Sequence, residues 1–338
     1  MKKKVLIVED SILMQRVLGD IIKNSIEFEV CAYARSVDEG WAKFNRLKPD
    51  IITLDYELPG ENGLVLLKKI MEHKPTPVLM ISAHTKEGAE LTIKSLKMGA
   101  VDFFTKPSGP ISLDLYQYKE ELLKKLISVA QANVYFREES PLIKVRQRRL
   151  DYYIGIASST GGVRTLNRLI PQFPNESGLR IMVVQHMPRF FTTSLAHHLN
   201  EQSTLVVKEA QDNDEILPDE VLIAPGGLHM KVNDTGERVI LSDEPPRHGV
   251  KPSADILFES MAQVYQKKMI GIILSGMGHD GTMGLRKVKE RGGIVIAQDP
   301  KEATIAGMPQ SAIESGIVDY ILPVANIPAK IMEIAEDD

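Results

Sequence analysis

The sequence predicts an α/β protein built from two doubly wound parallel-sheet domains. Short apolar runs alternate with helical patterns over the first 125 residues, which is the rhythm of a doubly wound sheet. A charged, proline-interrupted stretch then breaks the periodicity, and a new strand, turn and helix begin near residue 152. The 338 residues also exceed what one hydrophobic core usually organises. We therefore expect domains at residues 1–125 and 151–338, joined by a linker at residues 126–150.

Apolar runs predict five strands in the first domain, and helical periodicity predicts helices between them. The expected strands are residues 5–8, 30–33, 51–54, 78–81 and 101–104. Clear helical patterns occupy residues 12–23 and 63–72. In sheets of this kind, ligands bind beyond the carboxyl ends of the strands. The residues just after the strands are therefore the candidates for a functional site.

Chemically informative side chains follow four of these strands. They are Glu9, Asp10, Asp55, Ser82 and Lys106. Three carboxylates held together repel one another unless a hard divalent cation lies among them, and Mg²⁺ prefers such oxygen ligands. Asp55 then fits the role of a nucleophile that accepts a phosphoryl group, whose charge the cation would neutralise.

Other residues complete this candidate acceptor site. Lys106 offers a positive charge to phosphoryl oxygens, and Ser82 offers a hydroxyl that can move to meet them. We expect a cis peptide before Pro107, which would aim Lys106 inward. Phe103 supplies an aromatic ring that could rotate with the switch. A single Asp at a strand end is usually a helix cap or a solvated loop residue, but five such residues in the right order on the right strand ends favour a functional site.

The second domain carries the parts of a serine hydrolase. A strand runs into the segment SSTGG at residues 158–162, so Ser159 stands on a strand-to-helix turn where helix amides favour negative charge. His186 and Asp280 each follow a buried-looking strand. Imidazole is the base best matched to neutral pH, and a buried carboxylate fixes its tautomer. We expect Ser159 to be the nucleophile, His186 the base and Asp280 its orienting partner.

Several alternatives and additional residues belong to this site. Serine and glycine before a helix are also ordinary capping residues, so the serine alone is a weak signal. His279 adjoins Asp280 and is a competing base, but a histidine in a glycine-rich loop is usually a surface residue. We expect His229 and His248 to shape the substrate cleft or its lining loops. The candidate oxyanion donors are the backbone N–H groups of Thr160 and Met277.

Residues 1–125 resemble the receiver domain of two-component response regulators, which has a flavodoxin-like fold. The resemblance rests on Glu9-Asp10, Leu54-Asp55 with Leu58-Pro59, Ser82-Ala83, and the segment FTKP at residues 104–107. It implies that a histidine kinase phosphorylates Asp55. It also implies that Glu9 and Asp10 bind Mg²⁺ together with Asp55, and that the backbone carbonyl of Glu57 helps.

Residues 151–325 resemble the catalytic domain of chemotaxis protein-glutamate methylesterases. The matching motifs are STGG at residues 159–162, QHMP at 185–188, APGGLHM at 224–230, PSADILF at 252–258 and GMGHDG at 276–281. A receiver followed by this domain is the full architecture of that family. Where the family usually has alanine before its nucleophile, this chain has Ser158.

This second resemblance implies a reaction and its partners. Glutamate methyl esters on chemoreceptors would be hydrolysed with release of methanol, and some members also deamidate receptor glutamines. The kinase would be of the chemotaxis type, and hydrolysis itself would need no cofactor. The resemblance gives Ser159, His186 and Asp280 the same three roles that their chemistry indicates.

Composition and charge argue against some classes of partner and location. The net charge of -4 offers no electrostatic case for nucleic acid or an anionic membrane, and the basic cluster at residues 144–149 is typical of a solvated connector. The single Cys31 allows no intrachain disulfide and fits a reducing cytoplasm. No stretch approaches the roughly 18 apolar residues of a membrane span, and the N-terminal apolar run is too short for a signal peptide. We expect a cytoplasmic protein without direct membrane insertion.

Three functions from different classes fit these residues. The first is a phosphorylation-activated methylesterase that serves adaptation in chemotaxis. The second is a general serine esterase or peptidase joined to a receiver. The third is a phosphorylated binding module whose hydrolase site has lost its role. Ser159, His186 and Asp280 are all present, which favours the two enzymes over the binding module. Release of methanol from methylated receptor membranes would distinguish the methylesterase from a general esterase or peptidase.

Overall fold

Two groups of strands and helices follow one another along the chain. The computed structural model describes residues 2–83, 85–106, 113–134 and 151–336. The chain divides into one unit at Met1–Phe136 and another at Arg137–Asp338. Each unit has a parallel sheet of its own.

The first unit alternates strand and helix. Its elements are β1 (Lys3–Val8), α1 (Ile12–Lys23), β2 (Phe28–Ala34), α2 (Val37–Leu47), β3 (Ile51–Asp55), α3 (Gly63–His73), β4 (Val78–Ala83), α4 (Lys86–Lys97), β5 (Asp102–Lys106) and α5 (Lys119–Ala130). The strands pair in the order β2-β1-β3-β4-β5, and every pairing is parallel. All five expected strands are therefore present in one sheet.

Strand order places the candidate acceptor residues together. The chain leaves β1 for β2 on one side and returns to β3 on the other, so β1 and β3 flank the point where the strand order reverses. A crevice forms at such a point beyond the carboxyl ends of the strands. Glu9 and Asp10 follow β1, and Asp55 ends β3.

Local signals explain the start of the first helix. Ser11 has extended backbone angles, and its hydroxyl accepts a hydrogen bond from the Met14 amide at 3.4 Å. A serine in this position satisfies a helix donor that would otherwise lack a partner. α1 then begins at Ile12 and ends at Lys23, as its periodicity predicts.

The second unit contains a larger sheet. Its elements are β6 (Tyr153–Ser158), α6 (Gly162–Leu169), β7 (Arg180–Gln185), α7 (Phe191–Gln202), β8 (Val206–Glu209), β9 (Glu220–Ile223), β10 (His229–Val232), β11 (Val239–Ser242), α8 (Ala254–Tyr265), β12 (Met269–Ile273), α9 (Thr282–Glu290), β13 (Ile294–Gln298), α10 (Gly307–Glu314), β14 (Tyr320–Leu322) and α11 (Ile327–Glu336). Seven strands pair in the order β14-β13-β12-β6-β7-β9-β8. All of these pairings are parallel.

The sheets confirm the prediction of two doubly wound parallel-sheet domains. One feature was not predicted: β10 and β11 form a separate antiparallel hairpin. In the large sheet, β6 lies between β12 and β7. Ser159, His186 and Asp280 follow these three neighbouring strands, so the topology brings them to one edge of the sheet.

α8 packs closely on the sheet of the second unit. Phe258 and Met261 of this helix are fully buried. A Cβ at Gly155 in β6 would lie 2.8 Å from the Phe258 ring, so only glycine permits this approach. The same helix begins at Ala254, whose amide contacts the loop that follows β12. α8 is thus both a core element and a support for the loop that carries Asp280.

Part of the expected linker is helical. α5 continues to Ala130, so the boundary expected at residue 125 falls within a helix of the first unit. The basic cluster at residues 144–149 and the peptide before Pro107 lie outside the described residues. Over the described ranges, we find no helix that combines the length and apolar character needed to cross a membrane.

Candidate functional site

The turn after β6 has the strand, turn and helix geometry expected for Ser159. β6 ends at Ser158, and α6 begins at Gly162. Gly161 between them has φ 77°, in the left-handed region where glycine carries no steric penalty. A Cβ at Gly161 would also lie 2.4 Å from the Cβ of Thr304. The glycine therefore allows both the turn and the close approach of a neighbouring loop.

The two adjacent serines have different surroundings. Ser158 is fully buried, and its hydroxyl donates to Oε1 of Gln185 at 2.6 Å. Ser159 is half-buried, and its amide donates to the carbonyl of Ser275 at 3.0 Å. The hydroxyl of Ser158 thus has an internal partner, whereas Ser159 stands at the rim of the sheet.

His186 lies directly beside Asp280. Its Nε2 is 2.8 Å from Oδ2 of Asp280. The His186 amide also donates to the carbonyl of Ser158 at 3.0 Å, which ties the end of β7 to the turn after β6. Because Nε2 faces the carboxylate, Nδ1 is the ring nitrogen left for another partner.

Asp280 receives several hydrogen bonds from the start of α8. The Ser253 hydroxyl donates to Oδ1 at 2.7 Å, the Ala254 amide donates to Oδ2 at 2.6 Å, and the Asp255 amide donates to Oδ1 at 3.3 Å. Burial alone would raise the pKa of Asp280. The contacts with His186, Ser253 and Ala254 outweigh burial and lower its pKa to about 2. Asp280 is therefore a carboxylate at neutral pH.

The other three candidate histidines differ in burial and contacts. His229 is fully buried: its Nδ1 accepts from the Ser253 amide and its Nε2 lies 3.1 Å from the carbonyl of Pro245. It joins two loops inside the domain, and burial lowers its pKa. His279 is exposed, and its ring contacts that of His248 at 4.8 Å between centroids. His248 Nε2 lies 3.1 Å from Oδ2 of the buried Asp255.

The candidate oxyanion donors lie on loops beside Ser159. Thr160 is buried in the turn itself, and Met277 is 41% exposed in the loop after β12. A Cβ at Gly276, which precedes Met277, would lie 2.9 Å from the Cβ of Ser159. The two loops therefore touch at the serine, as a shared oxyanion site requires. The donor roles of Thr160 and Met277 remain predictions.

Three carboxyl groups of the first unit form a candidate metal site. One oxygen from each of Glu9, Asp10 and Asp55 lies within 4.8 Å of the others. Lys106 Nζ lies 2.6 Å from Oδ2 of Asp55 and 3.0 Å from Oε2 of Glu9. Burial, followed by the charge of Asp55, raises the pKa of Glu9, although Lys106 opposes the shift. A buried group of carboxyl oxygens suits a hard divalent cation such as Mg²⁺, whose charge would offset this repulsion.

The remaining acceptor-site candidates have defined positions. Ser82 accepts a hydrogen bond from Thr92 Oγ1 at 2.9 Å and donates to the carbonyl of Gly88 at 3.2 Å. Phe103 is buried, and Lys125 Nζ lies 5.3 Å from the centre of its ring. The amide of Glu57 donates to Oδ1 of Asp55 at 3.3 Å. The switch roles of Ser82 and Phe103 and the ligand role of the Glu57 carbonyl remain predictions.

Two family profiles match the chain. The profile of the response regulator receiver domain matches residues 5–115. The profile of the CheB methylesterase matches residues 154–331, which is more than half of the chain. The chain belongs to the CheB methylesterase family. In this family member, the receiver profile covers the acidic site and the methylesterase profile covers Ser159, His186 and Asp280.

Curated relatives match along almost the whole chain of this CheB-family member. A protein-glutamate methylesterase/protein-glutamine glutaminase of Pyrococcus abyssi is 41% identical, over 99% of this chain and 94% of the relative. A relative with the same name in Thermotoga maritima is 42% identical, over 98% of each chain. The crystal structure of the Thermotoga maritima CheB methylesterase catalytic domain is 44% identical, with a TM-score of 0.53, and covers 54% of this chain and 98% of that chain.

Two residues of the methylesterase domain make polar contacts with the site that were not predicted from the sequence. Ser253 contacts Asp280, and Gln185 contacts the carbonyls of Ser159 and His186. A signal existed for Ser253, because a serine before a helical pattern is a typical N-cap. For Gln185 the signals were its place at a strand end next to His186 and its membership of the motif QHMP.

Proposed function

We propose that this chain is a protein-glutamate methylesterase whose serine hydrolase site is Ser159, His186 and Asp280. The observation that carries the proposal is the 2.8 Å contact between His186 and a buried carboxylate, at the sheet edge where the strand before Ser159 also ends. The names of the full-length relatives supply the substrate chemistry. Glutamine deamidation, which the same names include, is proposed as a second activity of the same site.

The first half of the reaction forms an acyl-enzyme. Ser159 Oγ attacks the carbonyl carbon of the glutamyl methyl ester while His186 Nδ1 takes the hydroxyl proton. Asp280 stabilises the imidazolium that results, because its carboxylate faces Nε2. The oxyanion of the tetrahedral intermediate is held by the amides of Thr160 and Met277. When the intermediate collapses, the C–O bond to methoxide breaks, and His186 returns the proton so that methanol leaves.

The second half restores the enzyme. Water attacks the acyl carbon, and His186 accepts one of its protons. Collapse of the second tetrahedral intermediate breaks the bond to Ser159 Oγ, which regains its proton from His186. The side chain of the substrate is released as glutamate. With a glutamine substrate the first leaving group is ammonia, and the later steps are identical.

The receiver domain supplies the regulation. A histidine kinase of the chemotaxis type donates a phosphoryl group, which Asp55 accepts. Glu9, Asp10 and Asp55, with the Glu57 carbonyl, would hold Mg²⁺, which when bound screens the negative charge of the incoming phosphoryl group. Lys106 already lies against Asp55 and can pair with a phosphoryl oxygen. Phosphorylation raises methylesterase activity.

The proposed substrate is the cytoplasmic part of a methylated chemoreceptor, and we place the enzyme in the cytoplasm. The test is release of methanol when the purified chain, with Mg²⁺ and a small phosphodonor, is incubated with methylated receptor membranes. Faster release with phosphodonor supports a phosphorylation-activated methylesterase. Hydrolysis of simple esters without methanol release from receptors would instead support a general esterase joined to a receiver.

A further inference from the structure

The last residue of β7 is a buried glutamine that joins the two turns of the candidate active site. Gln185 is 2% exposed. Its Nε2 donates to the carbonyl of Ser159 at 3.0 Å and to the carbonyl of His186 at 3.3 Å. Its Oε1 accepts from the hydroxyl of Ser158 at 2.6 Å. We name these three hydrogen bonds the carboxamide bridge.

The contacts determine which way the carboxamide faces. Carbonyl oxygens accept hydrogen bonds only, so the NH₂ end of Gln185 must face the carbonyls of Ser159 and His186. Its oxygen then needs a donor, and the Ser158 hydroxyl is that donor. Each polar end of the buried side chain is thereby satisfied, as buried polar groups in native proteins generally are. Ser158 therefore satisfies the oxygen of the Gln185 carboxamide, whose orientation the two carbonyls determine.

The start of α6 leaves space for the carboxamide bridge. A Cβ at Gly162 would lie 2.3 Å from Oε1 of Gln185 and 2.7 Å from the Cβ of Ser158. Any other residue at position 162 would push these groups apart. Gly162 has ordinary helical geometry and is absent from the residues with positive φ. Its lack of a side chain therefore serves packing against Gln185 rather than an unusual backbone angle.

The carboxamide bridge acts on the backbone that carries the reacting groups. The C=O and N–H of a trans peptide point in opposite directions, so a fixed Ser159 carbonyl also fixes the direction of the Thr160 N–H. The second bond holds the His186 carbonyl, and the His186 amide is held by Ser158. A displacement of about 1 Å in an active site can cost roughly 100-fold in rate.

We infer that Gln185 is a positioning residue that holds the turns of Ser159 and His186 in register, with Ser158 donating to its carboxamide oxygen. The inference rests on the proposed function only in taking these residues as nucleophile and base. It predicts an effect on the rate of serine acylation and no effect on the affinity of the site for a small reagent. A residue needed only for stability would change neither quantity in the folded protein.

The test measures covalent labelling of Ser159 in the full chain by a fluorophosphonate probe. Mass spectrometry follows the labelled peptide, and the dependence on probe concentration separates the maximal rate constant from the binding constant. The variants are Gln185→Met, Ser158→Ala and the double variant. Tyr265→Phe is the matched control, because it removes another buried hydrogen bond, from Tyr265 to the carbonyl of Gly236 at 2.8 Å, elsewhere in the same unit.

Gln185→Met should lower the maximal rate constant at least about tenfold with an unchanged binding constant. Ser158→Ala should lower it about two- to fivefold. The double variant should be no slower than Gln185→Met, because Ser158 acts through Gln185 and the two losses do not add. Tyr265→Phe should lower the unfolding midpoint and leave labelling unchanged. If Gln185→Met fails to fold, Gln185→Glu takes its place, since a carboxylate keeps the Ser158 bond but cannot donate to the two carbonyls.

Three outcomes would overturn the inference: a normal maximal rate constant in the Gln185 variant, losses that multiply in the double variant, or a change confined to the binding constant. A wild-type chain that is not labelled at Ser159 would overturn it together with the nucleophile assignment. A wild-type chain that is labelled but releases no methanol from methylated receptors would reject the proposed substrate and leave the role of Gln185 standing.

Discussion

Nε2 of His186 lies 2.8 Å from Oδ2 of Asp280, so the carboxylate contacts the ring nitrogen that is farther from the Cβ. In the serine hydrolases whose aspartate binds Nδ1, the base is Nε2. Here the carboxylate faces Nε2 instead, so the proposed role of His186 as base assigns proton transfer to Nδ1. The roles of the two nitrogens follow from which one the carboxylate holds in its N–H form.

Asp280→Asn should lower the turnover number by about 10³- to 10⁴-fold, because an amide favours the wrong tautomer of His186. Binding of substrate should change little. Asp219→Asn is the matched control, since Asp219 also accepts hydrogen bonds in the same domain, from the Ser177 hydroxyl at 3.1 Å and the Gly178 amide at 2.8 Å. It should keep most of the activity. Similar losses in the two variants, measured as methanol release, would mean that Asp280 has no special part in catalysis.

Ser159→Ala should remove nearly all hydrolysis and leave phosphorylation of Asp55 normal, because the nucleophile, base and carboxylate act as a unit. Ser158→Ala should retain at least about a fifth of the activity, since it removes only the donor to Gln185. Methanol release and phosphate incorporation measure the two effects. Loss confined to Ser158→Ala would transfer the nucleophile assignment to that residue.

Asp55→Asn should abolish phosphate incorporation from a small phosphodonor, because an amide cannot form the acyl phosphate. Removal of Mg²⁺ by a chelator should do the same in the wild-type chain. The exposed Asp38, on a helix of the same unit, provides a control: Asp38→Asn should be labelled normally. Radioactive phosphate that persists in Asp55→Asn would mean that another residue is the acceptor.

Because of His229, the free energy of unfolding of the second unit should decrease as the pH falls below neutral. Burial lowers the pKa of His229 from its ordinary value of 6.5, so the unfolded chain binds a proton more readily than the folded chain. The contribution is complete above about pH 6.5 and is lost as the pH falls from there through the lowered pKa of the folded state.

Denaturant unfolding of wild type and His229→Phe across pH 4–8 measures this contribution. The variant should lose about 1–3 kcal/mol at neutral pH, because the Ser253 amide and the Pro245 carbonyl lose their partner. Its free energy of unfolding should also fall less steeply below pH 6.5. If the free energy of unfolding falls equally steeply with pH in wild type and variant, His229 does not bind a proton on unfolding.

If the unphosphorylated receiver restrains the enzyme, deletion of residues 1–140 should raise basal methylesterase activity. The activity of the fragment should be the same with and without phosphodonor. The catalytic domain of the Thermotoga maritima relative has been crystallised as a separate chain. Both proteins are assayed for methanol release on the same methylated membranes. A fragment no faster than the unphosphorylated full chain would show that phosphorylation stimulates the enzyme by another route.

Elements with strong local signals were predicted well. Helix α1 has its predicted ends because Ser11 caps it, and the buried apolar runs of the first unit became strands of one parallel sheet. The contacts of Ser253 and Gln185 with distant segments were not predicted. Ser253 meets Asp280 across 27 residues, and Gln185 meets Ser159 across 26. No periodicity or spacing encodes these contacts, because they depend on how α8 and β7 pack against β6 and β12.

The order in which the strands leave the ribosome differs from their order in the sheet. β6 and β7 are neighbours in both orders. β12 also pairs with β6 in the sheet, but it is made later, and Asp280 lies 94 positions after His186 in the chain. At the usual speed of protein synthesis, roughly 5–20 residues per second, the nascent chain carries Ser159 and His186 for about 5–20 s before Asp280 exists. If Asp280 orients His186 as proposed, the hydrolase site is incomplete throughout this interval, and hydrolytic competence is a late step of co-translational folding.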